Sequence, residues 1–261
     1  MHNNPFLHTA LKAARSAGKI IIKSLEKLDQ IAITEKHCND FVTEIDKQSE
    51  DEIIAIIKKA YPTHAFIGEE SGAIGESEYT WITDPLDGTH NFIHGLPHFC
   101  ISIALKHKNK LENGLIYDPL RQEAFGATRG RGAFLNDKRI RVSKKNKLDG
   151  SLIGLSFAPN SHDYLRMHLN IMERLYAITT GVRRTGSSAL DCCYVASGRL
   201  DGLVGINLKE WDIAAGSLII KEAGGLVCDL DGGEKYLETG NMVAGNPKIL
   251  KTLLQTTIES N

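Results

Sequence analysis

Nothing restricts the folding of this 261-residue chain more than the run Trp81-Ile82-Thr83-Asp84-Pro85-Leu86-Asp87-Gly88-Thr89-His90-Asn91-Phe92. A short apolar strand, Tyr79 to Thr83, delivers two carboxylates three residues apart, with a proline between them and a Gly-Thr step after. Proline fixes its own φ and biases Asp84 towards an extended conformation. The bend therefore turns Asp84 and Asp87 towards one point, where the carbonyl of Leu86 can join them. Oxygen donors alone favour Mg²⁺ or Mn²⁺ over zinc. Gly88 lets backbone N–H groups approach a ligand closely, and a helix starting here points free N–H groups at phosphate. Taken alone, the motif also fits an Asp-Pro turn carrying two solvated acids.

Further acids stand at the ends of other elements. Ala65-Phe66-Ile67 reads as a short strand that delivers Glu69 and Glu70, of which Glu69 is assigned inward. Asp212 follows Trp211 at the start of an apolar helix running to Ala223, where the helix dipole favours its charge. Plain N-capping is the competing reading. Glu69, Asp84, Asp87 and Asp212 together could hold two divalent ions. The Thr89 hydroxyl can accept a hydrogen bond from water while donating to an acid such as Asp46, orienting that water for attack. His90 reads as a structural or surface histidine. Gly186-Ser187-Ser188, with Arg183 three residues before it, reads either as ordinary helix capping or as a small wall facing an alcohol or phosphate ester. Arg129-Gly130-Arg131-Gly132 lacks the Lys-Ser/Thr of a P-loop and the register of a dinucleotide fold, so it reads as a hairpin turn.

Helical spacing of apolar residues predicts a long helix over 5–28, and Thr43 with Asp46 marks the start of another that runs to about Ala60. From Phe99 to Arg141 the periods are short and sheet-like, as in an antiparallel meander. After Ser151 strands alternate with helices, one over 162–176 capped by Ser161 and one opening near Ser187. A single domain over 1–261 is expected, with an α+β part, 1–145, and an α/β part, 146–261. The formal charge of −1 gives no general pull towards nucleic acid or membrane. Five cysteines without a CxxC pair fit reduced thiols in a cytoplasmic protein. Residues 1–5 carry no basic segment followed by an apolar core, and no run reaches the length needed to span a bilayer.

Phe66-Ile67-Gly68-Glu69-Glu70-Ser71, the run Trp81 to Phe92, Trp211-Asp212-Ile213-Ala214-Ala215-Gly216, and Gly181 to Ser187 with Ala189-Leu190-Asp191 resemble the inositol monophosphatase family, in particular its SuhB-like bacterial branch. The resemblance covers nearly the whole chain. It implies a layered αβαβα sandwich with an antiparallel N-terminal and a mixed C-terminal sheet. It implies Mg²⁺ (two or three ions, with Mn²⁺ as substitute) on Glu69, Asp84, Asp87, Asp212 and the Leu86 carbonyl. Thr89 paired with Asp46 would help activate the nucleophilic water, and the Gly88 and Thr89 amides would hold phosphate. It further implies hydrolysis of inositol monophosphate or a related small phosphate ester, a lithium-sensitive homodimer, and a possible protein partner in ribosomal RNA transcription complexes. One departure stands out: many inositol-preferring members carry a glutamate seven residues before the Trp-Asp aspartate, and here that position is Gly205.

Overall fold

The computed structural model describes residues 4–28, 33–37, 40–158 and 164–258. The chain opens with α1 (Pro5–Leu25), the hairpin β1 (Ile33–His37) and β2 (Asp40–Thr43), and α2 (Glu44–Ala60). β3 (Ala65–Gly68), β4 (Gly72–Ile74) and β5 (Tyr79–Asp87) lead through the short α3 (Thr89–Ile93) into a meander. The meander comprises β6 (Cys100–His107), β7 (Lys110–Asp118), β8 (Glu123–Thr128), β9 (Gly132–Leu135) and β10 (Lys138–Arg139). The second half runs β11 (Leu152–Phe157), α4 (Leu165–Ile178), β12 (Gly181–Arg183), α5 (Ser188–Ala196), β13 (Gly202–Ile206) and α6 (Glu210–Glu222). It closes with β14 (Leu226–Cys228), α7 (Tyr236–Thr239), β15 (Met242–Gly245) and α8 (Pro247–Ile258).

Five layers result. α1 forms because Leu7, Ala10, Ala14, Ala17 and Ile21 recur on one face, while Asn4 accepts from the Leu7 N–H and Pro5 occupies the first turn. That face, with Ile53 and Ile57 of α2, covers one side of an eight-stranded sheet ordered β10-β9-β8-β7-β6-β5-β3-β4. The other side of this sheet rests on α5 and α6: Ile82, Ile116 and Phe125 share a core with Leu190, Ile213 and Ile219. Leu203 and Met242 of a second sheet, ordered β12-β11-β13-β15-β14, complete that core. α4 and α8 cover its far face through Ile171, Leu175, Ile249 and Leu253. This is the expected αβαβα sandwich, with parallel and antiparallel pairs in the second sheet.

The antiparallel first sheet holds from β5 to β10, but β3 pairs with β5 in parallel. β4 folds back on the outer side of β3, so β5 takes the inner side in the same direction as β3. β5 also continues past Thr83 to Asp87, α1 ends at Leu25, and α6 starts two residues before Asp212. The expected cap Ser161 and Cys38 lie outside the described residues; Cys100, Cys192, Cys193 and Cys228 are free and buried. Arg129–Gly132 does form the β8–β9 turn, with Gly130 at φ +73°. No helix among the described residues is long and apolar enough to cross a membrane.

A ladder of stacked rings ties α2 to the strands that lead into the acids. His64 stacks between Tyr61 (4.9 Å) and Tyr79 (4.7 Å), and Tyr79 stacks on His107 (4.1 Å). Trp81 Nε1 donates to His64 Nδ1 at 3.0 Å, which requires an unprotonated Nδ1. Burial lowers the His64 pKa accordingly. A depressed histidine pKa means that the unfolded chain takes up the proton first, so this contribution to stability is lost as pH falls below about 6.5. His64→Gln keeps an acceptor for Trp81 without a titrating group. Its melting temperature is expected to fall less than that of the wild type between pH 7.5 and pH 5.5, and equal falls would remove His64 as the cause.

Candidate metal centre

Side chains alternate along a strand, so Asp84 and Asp87, three apart, belong on opposite faces of a regular β5. The pairing shows why they do not. Asp84 faces Ser102 and Asp87 faces Cys100, so three steps on β5 span two on β6. The extra residue is a bulge that restores both carboxylates to one face, and Pro85 suits it because no ladder N–H is required there. Trp81 lies in the α1–α2 core and Ile82 in the α5–α6 core, which puts Asp84 on the α5–α6 side. The Leu86 N–H donates to Asp84 Oδ1 at 3.0 Å and closes the bend.

Asp212 arrives from the opposite layer. It is the third residue of α6, and its Oδ2 accepts from the Lys209 N–H at 2.8 Å, stabilising the helix start. β6 fixes that first turn: Ser102 Oγ donates to the Trp211 carbonyl at 3.1 Å, and Lys106 pairs with Glu210. Ser102 is the strand partner of Asp84, so one residue sets the spacing of both acids. Asp84, Asp87 and Asp212 each bring an oxygen within 4.8 Å of the others. Glu69 follows β3, where its N–H donates to the Thr83 carbonyl at 3.1 Å, and its side chain hydrogen-bonds the Asp84 carboxyl.

Burial, followed by repulsion from Glu69, Asp87 and Asp212, holds the Asp84 pKa well above the usual carboxylate range. Burial also raises Asp87, although donors from Ser187, Ala189, Cys100 and Ser188 work against it. Crowded oxygen donors that repel one another when ionised fit a hard divalent cation, whose charge would relieve that repulsion.

Beside this cluster, the Thr89 hydroxyl lies 3.0 Å from Asp46 Oδ1 and 2.9 Å from the Leu86 carbonyl, and donates its one proton to either. Asp46 Oδ2 accepts from the Thr43 N–H at 2.8 Å and the Thr43 hydroxyl at 2.6 Å, the capping box that starts α2. Burial raises the Asp46 pKa. Gly88 sits at φ +97°, and a Cβ there would meet the His98 carbonyl at 3.0 Å, so only glycine fits comfortably.

The second half grips Asp87. The Ser187 hydroxyl and the Ala189 N–H (2.9 Å) bond Oδ2, and the Ser188 N–H lies 3.3 Å from Oδ1. Gly186 packs against Asn91, whose Nδ2 donates to the carbonyls of His98 (2.7 Å) and Thr185 (3.0 Å). Arg183 is not turned towards this group: its Nη1 donates to the Val182 carbonyl at 3.0 Å, folded back along β12. Gly205 pairs with Ser156 and Met242, and a Cβ there would come within 2.7 Å of Leu208 and 2.9 Å of Met242. Those apolar side chains fill the place a longer residue would need.

Sequence reasoning overlooked Glu50. It is buried, and its carboxylate accepts from the N–H groups of Ser71 (2.7 Å) and Glu70 (3.3 Å), fixing the turn that carries Glu69. A Cβ on Gly68 would fall 2.2 Å from Glu50 Oε1, so the glycine of that turn exists to admit this acid. The available signal was a second acid four residues after Asp46, in register with the apolar face of α2.

The sequence profile of the inositol monophosphatase family matches residues 2–261. The Nus factor SuhB of Pseudomonas aeruginosa is 52% identical over 258 residues, covering 97% of this chain and 95% of the relative. Among solved structures, the extragenic suppressor protein suhB of Bartonella henselae superposes with a TM-score of 0.94 at 38% identity, covering 97% of this chain and 98% of its own. The inositol monophosphatase of Anabaena superposes with a TM-score of 0.86 at 35% identity, covering 97% and 95%.

A raised carboxylate pKa costs stability once pH rises above the ordinary carboxylate value, because the native state must then either keep a proton or hold a repelled charge. Asp84→Asn is therefore expected to stabilise the metal-free protein at pH 7.5 by about 1–2 kcal/mol in urea denaturation. The same variant should lose most of the stabilisation that Mg²⁺ gives the wild type. A destabilised Asp84→Asn, still responsive to Mg²⁺, would contradict this account of the cluster.

Proposed function

This chain belongs to the inositol monophosphatase family, a family of metal-dependent phosphatases, and from that premise we propose that it hydrolyses phosphate monoesters of small alcohols, myo-inositol 1-phosphate among them. The observation that carries the reading is the convergence of Asp84, Asp87 and Asp212 within 4.8 Å on a face where burial and mutual repulsion leave them in need of a cation. We assign Mg²⁺, in two or three ions and replaceable by Mn²⁺, to Glu69, Asp84, Asp87, Asp212 and the Leu86 carbonyl. When bound, the metal polarises the phosphoryl oxygens and makes water nucleophilic at neutral pH.

The chain's own residues supply position. Thr89, with Asp46 accepting its proton, presents an oxygen that can receive a hydrogen bond from the attacking water. The Gly88 and Thr89 N–H groups, at the start of α3, are assigned to a phosphate oxygen. Gly186, Ser187 and Ser188 form the wall nearest Asp87 and are assigned to the leaving alcohol. Arg183 joins them only by swinging off the Val182 carbonyl. No residue here forms a covalent bond to phosphorus in this scheme.

Gly205 bears on which alcohol the phosphate carries. With Leu208 and Met242 filling the space at Gly205, that wall offers no carboxylate to alcohol hydroxyls. Related esters, such as histidinol phosphate, fructose bisphosphate or a nucleotide 3′-phosphate, are alternative substrates on this ground. Lithium inhibition and a cytoplasmic location belong to the same proposal. So does a homodimer, for which the exposed Leu165, Leu169 and Tyr176 of α4 provide apolar surface.

A second reading has one specific support: the relative in Pseudomonas aeruginosa is named a Nus factor. On that reading the chain also binds a protein partner in a transcription complex, without direct nucleic-acid contact. Its near-neutral charge fits recruitment through protein. Cellular function retained by an inactive metal-site variant would favour it.

Asp87→Asn is expected to lower kcat/KM by at least about 10²–10³-fold with the fold intact by circular dichroism. Full turnover at ordinary Mg²⁺ would remove the proposed centre. A panel of phosphate esters is expected to show discrimination below about 200-fold between inositol 1-phosphate and the best alternative, as for a wall lacking a polar contact. Rejection of the alternatives by 10⁴-fold or more would show that another residue reads inositol.

A further inference from the structure

Asp191 is a buried acid that the reaction does not use. It lies on α5, fully buried, two residues beyond the N–H groups that hold Asp87. Its Oδ1 accepts from the Thr185 hydroxyl and its Oδ2 from the Ser156 hydroxyl, each at 2.8 Å. Thr185 is the hub of the adjoining turn. Its carbonyl accepts from Asn91 at 3.0 Å, and its hydroxyl oxygen lies 3.4 Å from the Ser187 N–H. Ser187, Ser188 and Ala189 then close on the Asp87 carboxylate. Ser156 belongs to β11 of the second sheet. One side chain thus joins that sheet to the turn through which the second half of the molecule holds a first-half acid.

An uncharged or apolar residue could fill this space without the desolvation cost of a buried acid. The acid has a consequence that filling alone does not. Asp87 Oδ2 is taken by Ser187, Ala189 and, at 3.6 Å, the Cys100 thiol, while among the described residues Oδ1 has only the Ser188 N–H, at 3.3 Å. The oxygen left with unused lone pairs is therefore selected by the Thr185–Ala189 turn. We propose that Asp191 is a positioning residue for the metal centre, acting through Thr185 to set which Asp87 oxygen meets the cation and adding negative charge behind it. The inference rests on the reading of Asp87 as a Mg²⁺ ligand. Burial pushes the Asp191 carboxyl up to about 7, against the hydrogen bonds from Thr185 and Ser156, with repulsion from Asp87 adding to the rise.

The test is a Mg²⁺ titration of the full-length protein, read both by thermal melting and by hydrolysis of inositol 1-phosphate. Asp191→Asn keeps the shape and most of the packing but removes the charge and one of the two acceptor oxygens that Thr185 and Ser156 use. It is expected to raise the Mg²⁺ concentration for half-maximal thermal stabilisation by about tenfold to a hundredfold. The kcat at saturating Mg²⁺ should return to within a few-fold of wild type. Thr185→Val removes the hydroxyl that joins Asp191 to the turn and should produce a similar shift, and the double variant should be no worse than the larger single effect. Wild-type Mg²⁺ dependence in folded Asp191→Asn would overturn the proposal, and should that variant not fold, wild-type dependence in Thr185→Val would do so. Asp87→Asn, measured alongside, separates the two levels. If it too leaves Mg²⁺ stabilisation unchanged, the assignment of Asp87 as a ligand has failed; if it alone abolishes it, only the role of Asp191 has.

Discussion

One extra residue in β5 governs the rest of this molecule's chemistry. Without the bulge between Asp84 and Asp87, one carboxylate would face α2 and the other α6, and no shared centre could form. With it, two acids lie side by side, buried between sheet and helices, a placement that hydrophobic packing alone would reject. The surrounding structure makes this tolerable by supplying donors to Asp87 from α5 and by anchoring α6 through Ser102 and Lys106. The result is a locally unfavourable arrangement held in place by a large, well-packed core.

The acids share a second property. Asp46 lies in the first turn of α2, Asp212 in the first turn of α6, and Asp87 against the first turn of α5. Each helix start carries N–H groups without intrahelical partners and the positive end of the helix dipole. Three such ends meeting at one sheet position favour the negative charge that collects there.

Much of this was legible in the chain. The Thr43–Asp46 capping box, the Asp-Pro-Leu-Asp-Gly-Thr run and the Trp211–Asp212 step are local patterns, and local patterns survive in sequence. The long α1 and the β6–β9 meander follow from periodicity for the same reason. What could not be read was pairing between distant segments. The parallel β3–β5 pair depends on which side of β3 was left open by β4. Glu50 meets the turn at residue 71, and Asp191 meets Ser156 across the sheet, and neither spacing leaves a periodic trace. Arg183 was placed in the substrate wall by its neighbours, while its guanidinium donates to the backbone of its own strand. Position in a motif predicts where a backbone goes more reliably than where a long side chain points.

Asp46 serves two partners at once: its Oδ2 starts α2 through Thr43, and its Oδ1 lies at Thr89. Opening that helical turn therefore also loosens the contact at the Thr89 hydroxyl. Under the proposed role of Thr89, fraying that is elsewhere harmless at a helix end would be felt in turnover, so the pressure to keep this turn closed would come from the rate as much as from the fold. Exchange of the amides of residues 43–46 would then report the fraction of molecules momentarily unable to act.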